Sequence, residues 1–419
     1  MTSPWHVPSR RRVPALHQAA PALARVLEEI GRSGPLTFAR FMEIAQYDPE
    51  VGYYAQPTTG PGFSRDYVTS PEIHPGFSVL LAGLFAEVWR ILGEPDPFWL
   101  VEAGPGTGSF AALVRSAAET AAPGFARALR LALIERSVEL RRVQQRRLLP
   151  AWDGRIIWLD PDPASWSRLG PGCIFANELL DALPTHRVIW RAGHLRELYV
   201  ARAAGESTLA LIEGEPSTPR LAAQLEAGGA ELHEGELGEV CVQSAAWIGA
   251  VSAVVAPGYF VLLDYGEPAS ELYGARFPSG TMRAYSQHTT SGDVLVRAGA
   301  QDLTAHVDFS AVTRGAEAAG LTLVGASRQA TLLERLGLSA LRAAVPARFA
   351  QRAAQVAHLR ALDALADPYG LGRVIAVCFA STQPALTVPG FDNGYEFNPT
   401  LLDTPELWTK PVAERLRAG

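Results

Sequence analysis

With 419 residues, 48% of them hydrophobic and 19% charged, the chain carries enough apolar material for a large core, which excludes disorder as the default. Its 37 basic and 43 acidic residues give a net charge of −6 with no long Lys or Arg run, so nucleic acid is not expected as a partner. Cys173, Cys241 and Cys378 are odd in number and far apart, and read as buried reduced thiols.

From the N-terminus, residues 1–20 lack acids and contain Arg10, Arg11 and Arg12. A mitochondrial transit segment leading to the matrix is the alternative; a cytoplasmic protein is the expectation. Membrane insertion is not expected: 76–92 contains Glu87 and Arg90, and 251–263 is broken by Pro257-Gly258. Phe38, Phe41, Met42 and Ala45 recur at helical spacing, so 1–95 is assigned to an N-terminal helical cap. Beyond it, short apolar runs alternate with helical patterns: Phe98 to Ala103, Leu129 to Ile134, Ile156 to Leu159, Cys173 to Ala176 and Tyr259 to Asp264, with Leu321 to Ala326 and Arg373 to Phe379 completing seven. Such alternation predicts an α/β fold, a doubly wound Rossmann-like seven-stranded sheet. The core spans 96–380, with insertions at about 201–255 and 268–365 that shape a substrate site, and 381–419 forms a C-terminal tail.

Between the first run and the next helix lies Glu102-Ala103-Gly104-Pro105-Gly106-Thr107-Gly108, with Ser109 as the predicted N-cap. Glycines here let the backbone turn tightly and approach a ligand. A dinucleotide fingerprint needs glycine at 109, where this chain has serine, so Gly104, Gly106 and Gly108 fit S-adenosyl-L-methionine better than NAD. Glu102 would face the ammonium group of that cofactor. Glu135, ending the second run, would accept both ribose hydroxyls, and Asp160 the adenine amino group, although Asp160-Pro161-Asp162-Pro163 also reads as a turn. Asn177, Glu178 and Asp181 follow the fourth run, where open α/β sheets hold ligands.

Several segments in order resemble the MidA-like methyltransferase family: Tyr47 to Tyr54, Asp66 to Glu72, Glu102 to Gly108, Asn177 to Pro184, Asp264-Tyr265-Gly266, Met282 to Tyr285 with His288, and Asp302 to Phe309. The resemblance implies a class I methyltransferase core using S-adenosyl-L-methionine. It also implies a protein substrate whose arginine is methylated, by analogy with family members that assemble respiratory complex I. A guanidinium nucleophile starts fully protonated, so a carboxylate must orient it. Glu178 and Asp308 lead as catalytic candidates, followed by Glu72 and His306, while Thr69 would close over the methionine end of the cofactor. Asp302, His306 and Asp308 also read as structural polar residues. No third ligand joins His306 and Asp308, so no metal site is assigned. A cofactor-binding assembly scaffold, a small-molecule methyltransferase and a homodimer stay open.

Overall fold

The structure, a computed structural model, describes residues 21–55, 69–203, 208–286, 289–382, 385–392 and 394–409. The Arg10–Arg12 segment, Asp66 to Val68 and His288 lie outside the described residues.

Seven strands form the main sheet: β1 (Phe98–Ala103), β2 (Leu129–Ile134), β3 (Ile156–Leu159), β4 (Gly170–Asn177), β5 (Val255–Asp264), β6 (Thr322–Arg328) and β7 (Ile375–Ala380). Their order across the sheet is β3-β2-β1-β4-β5-β7-β6, parallel except for β7, which runs antiparallel to both β5 and β6. The central runs are apolar throughout because helices cover both faces. One face packs on Gly76–Ile91 and Ser109–Ala121, the other on Ser244–Ser252 and Phe309–Ala318. Strand order reverses between β1 and β4, so the loops leaving these strands diverge and open a crevice at the carboxyl edge.

Helix Gly76–Ile91, grouped with the cap on sequence, belongs to the sheet's own core: Phe77, Leu80, Leu81, Leu84 and Phe85 are fully buried there. Each such side chain contributes roughly 1.5–3 kcal/mol of burial. Its Phe85 meets Phe110 and Phe175 edge-on, while those two rings stack 4.3 Å apart, clamping the helix after the glycine loop onto β4.

The remainder of the N-terminal segment packs on the insertions instead. Helices Pro21–Ser33 and Phe38–Tyr47 share a core with Val200, Met282, Ala284 and Leu303. Segment 186–240, which runs into the insertion placed at about 201–255, supplies His186–Arg191, His194–Arg202, Leu209–Gly214 and Leu237–Val240 to an antiparallel sheet closed by Leu36–Thr37. The insertion drawn over 268–365 is divided by β6. Its first part forms the small sheet of Arg283–Ser286, Thr289–Ser291 and Asp302–Thr304; its second part forms three helices between Gln329 and Leu365 that join the main core. The tail docks rather than trailing: Val388, Leu401 and Leu407 are buried, and Asn398 donates to the Ala121 carbonyl.

Gln46 ties these layers together. Fully buried, its amide nitrogen donates to the carbonyls of Ala182 and Leu303, and its oxygen accepts the Leu303 N–H. Tyr47 donates its hydroxyl to the same Ala182 carbonyl. Gln46→Ala leaves both Leu303 main-chain groups without these partners and opens a cavity, so stability should fall by about 3 kcal/mol. Urea unfolding measures this, and a loss below about 1 kcal/mol would contradict a bridging role.

Candidate active site

The glycine loop leaves β1 with positive φ at Gly104 (+67°), Gly106 (+51°) and Gly108 (+75°), the left-handed region open to glycine. A Cβ at Gly104 would strike Leu179 at 2.9 Å, whereas one at Gly106 meets no heavy atom within 4 Å. Gly104 is thus favoured by its left-handed backbone, with a Leu179 methyl packed against it, and Gly106 presents bare backbone to open space. Helix Ser109–Ala121 is capped by Gly108, not by the expected Ser109, which is already helical.

The loop is held from beside β2 and β3. Gln144 lies on the buried face of helix Val138–Trp152 with Leu148 and Trp152, one and two turns on. Its amide nitrogen donates to the Gly106 carbonyl (2.7 Å) and to Glu135, and its oxygen accepts from the Trp158 indole. Arg147 adds bonds to the Thr107 carbonyl and hydroxyl. Sequence reasoning missed both residues; the signal for Gln144 was a polar side chain in register with two core positions.

Two carboxylates flank this loop at the ends of β1 and β2. Glu102 is 4% exposed, and its Oε2 has no hydrogen-bond partner. Burial, with Glu135 nearby, pushes its pKa to about 8. Burial likewise raises Glu135 to about 7, although its Oε1 accepts the Ser137 N–H and its Oε2 the Gln144 amide. A buried carboxylate without a cation costs folding free energy unless a ligand supplies the charge. A ligand with an ammonium group and a ribose diol fits this pair, and the bare backbone at Gly106 leaves room for it.

Beyond β4 the chain turns through Glu178, a non-glycine residue at φ +50°. The conformation is locked from β5: Glu178 N donates to the Leu263 carbonyl, and Asp264 accepts the next three N–H groups, those of Leu179, Leu180 and Asp181, on one oxygen. The Glu178 Oε1 accepts from Ser70 N and from the Asn177 amide, whose own Oδ1 is buried without a partner. Burial raises the Glu178 pKa to about 8 and pushes Asp181 well above the carboxylate range, Asp264 adding to both. These two acids line a cavity of about 320 Å³ together with Asp302, Tyr54, Tyr265, Tyr285, His306, Arg283 and Arg373.

The other candidates separate. Thr69 caps the short helix Ser70–Ile73 and Glu72 accepts the Thr69 N–H, and neither is among the residues that line this cavity. Burial brings Glu72 to about 7. Asp160, exposed after β3, accepts the Asp162 N–H in the turn that its sequence also suggested. Asp308 does not reach the cavity. It caps helix Phe309–Ala318 by accepting the Ala311 N–H, and Gln224 approaches its second oxygen at 3.5 Å. His306 does reach it, but as a neutral ring: burial, then Arg373 and Arg283, lower its pKa to about 4, and its Nε2 accepts from Arg373 at 2.9 Å.

Glu72, Glu102, Glu135 and Glu178 all bind protons more tightly folded than unfolded. The stability they contribute is complete below about pH 4.5 and is lost as pH rises through 7 to 8. Without added ligand, the urea midpoint should therefore fall between pH 5 and pH 8.5, and Glu102→Gln should flatten that slope. A midpoint rising over this interval would contradict the assignment.

Comparisons with known proteins agree with this geometry. The chain is 27% identical to the protein arginine methyltransferase NDUFAF7, mitochondrial, of Mus musculus, over 85% of this chain and 83% of the relative. Its Homo sapiens counterpart is 28% identical over 78% of this chain and 75% of the relative. A crystal structure from Burkholderia thailandensis, bound to S-adenosyl-homocysteine, superposes with a TM-score of 0.80 at 29% identity, covering 92% of this chain and 98% of that one. The cytoplasmic expectation is corrected by the relatives, which are named as mitochondrial. Residues 80–327, more than half of the sequence, match the S-adenosyl-L-methionine-dependent methyltransferase family, and the chain belongs to that family.

Proposed function

We propose that the enzyme transfers the methyl group to an arginine side chain of a protein. The observation carrying this reading is the cavity beside Glu178. Neither Glu178 nor the buried Asp181 forms an ion pair among the described residues, and the rings of Tyr54, Tyr265 and Tyr285 line the same space. A guanidinium stays charged at any physiological pH, offers a planar set of N–H donors and stacks on aromatic faces. It would satisfy two raised carboxyls at once. The names of the curated relatives support the same acceptor.

Bound in the crevice at Glu102, Gly106 and Glu135, S-adenosyl-L-methionine supplies an activated methyl group open to in-line displacement. The residues' part is then to orient the acceptor and exclude water. With Oε1 held by Ser70 and Asn177, Glu178 has Oε2 to accept a guanidinium N–H, localise the nitrogen lone pair and receive the proton released after transfer. Asp181, at the adjacent turn, would hold the far side of the group. Because Glu178 sits near pH 8 without its cationic partner, kcat/KM should rise towards pH 8 and then level off.

The test uses the full chain, labelled cofactor and an extract of respiring cells, with methylarginine read by mass spectrometry; a complex I subunit is the first acceptor to examine. Gly106→Val should lose cofactor binding by titration calorimetry and all labelling. Glu178→Gln should keep binding within about threefold and lose about 100-fold or more in kcat. Label confined to small molecules would overturn the protein-arginine reading, and partner binding that survives in Gly106→Val without any methyl transfer by the parent would favour a scaffold.

A further inference from the structure

The cavity is polarised. Asp181 and Asp302 on its wall are 8% and 1% exposed, whereas Arg283 and Arg373 are exposed, so carboxyl groups lie inside and cationic groups outside. Among the described residues, the partners of both arginines are neutral. Arg283 donates to the carbonyl of Met282, and Arg373 donates to His306 Nε2 while its guanidinium lies 5.7 Å from the centre of the Tyr265 ring. Neither forms an ion pair with a carboxylate among the described residues, although three acids share the cavity. Each guanidinium carries five N–H donors, so most remain available.

The two groups come from segments far apart in sequence but line the same cavity. Arg283 opens the strand Arg283–Ser286, and Arg373 ends the turn Leu371–Arg373 ahead of β7. Both line the cavity that His306 and Tyr285 also line. Tyr369, 92% exposed, lines the same rim beside Gly370. A lone guanidinium substrate explains the acidic interior and gives this cationic rim nothing to bind.

We propose that the acceptor arginine is recognised together with a carboxylate of the same peptide, held at the cavity mouth by Arg283 and Arg373. The inference rests on the protein-arginine reading and narrows its substrate class: the arginine enters towards Glu178 and Asp181, and the carboxylate stays at the rim. That carboxylate belongs either to an acidic side chain near the arginine or to a peptide C-terminus. Peptides with lysine or arginine at the corresponding position would be rejected by like charge as well as by a missing contact.

The test is a set of arginine peptides methylated by the full-length protein with labelled cofactor. Each peptide carries Asp, Ala or Lys at one of the three positions on either side of the arginine and an amidated C-terminus; a matched Ala-flanked set keeps a free C-terminal carboxylate. Exposed ion pairs each change affinity by roughly two- to fivefold, so Asp should exceed Lys in kcat/KM by about tenfold at one or two positions. The preference should weaken at 0.5 M salt. R283E should cut it to below about twofold or invert it, with binding of S-adenosylhomocysteine unchanged as proof of folding; Arg283→Gln is the milder replicate. A gain confined to free-acid peptides assigns the carboxylate to a chain terminus and supports the proposal in that form. Equal methylation of Asp, Ala and Lys peptides, or an acidic preference that R283E leaves intact, overturns it while leaving arginine as the acceptor. If no peptide is methylated on arginine, the arginine reading falls and this inference with it.

Discussion

Four backbone N–H groups converge on the carboxylate of Asp264, those of Leu179, Leu180 and Asp181 on one oxygen and that of Tyr265 on the other. That convergence sits between the ends of β4 and β5 and sets the path of the chain after Asn177. It holds Glu178 in a left-handed conformation that an L residue otherwise avoids, turns Asp181 into the cavity and places Leu179 against Gly104. The cofactor loop and the proposed acceptor site are therefore connected through one buried acid that is not among the residues lining the cavity.

The site also concentrates uncompensated charge. Glu102, Glu135, Glu178 and Asp181 sit where burial opposes ionisation, and among the described residues none of them forms an ion pair with a protein cation. A fold optimised only for stability would place apolar residues or amides there. Ligands bearing positive charge recover what the apoprotein forgoes, which couples cofactor and acceptor binding to proton release. The same logic, with sign reversed, applies at the rim, where exposed guanidiniums face water.

Around this centre, the insertions supply the walls. Gln46, Tyr47 and Tyr54 from the N-terminal helices meet Ala182, Leu303 and Asp302, so the cap and the 283–304 sheet are built against the turn after β4 rather than against the main sheet. The proposed acceptor site is thus walled in part by segments separate from the strands that carry the glycine loop.

How much of this was legible follows the range of the interactions involved. All seven strands could be read because each is a short apolar run between helical patterns, a pattern that burial on both faces imposes on the central strands. The glycine loop was legible for a similar reason: left-handed φ at three alternating positions leaves few alternatives to glycine. Glu102, Glu135, Asn177 and Glu178 followed from their place at strand ends. The roles of other acids could not follow, since an aspartate reads alike whether it caps a helix, closes a turn or faces a ligand. Only the packing of helix Phe309–Ala318 made Asp308 a cap, and for Asp160 the fold decided between the two readings its sequence offered, in favour of the turn. Gln144, Gln46 and the pairing of Arg373 with His306 depend on partners between 9 and 257 residues away, distances over which a sequence carries no register. Composition and periodicity determined the sheet and its cofactor loop; the chain's long-range closure decided which charges share a cavity.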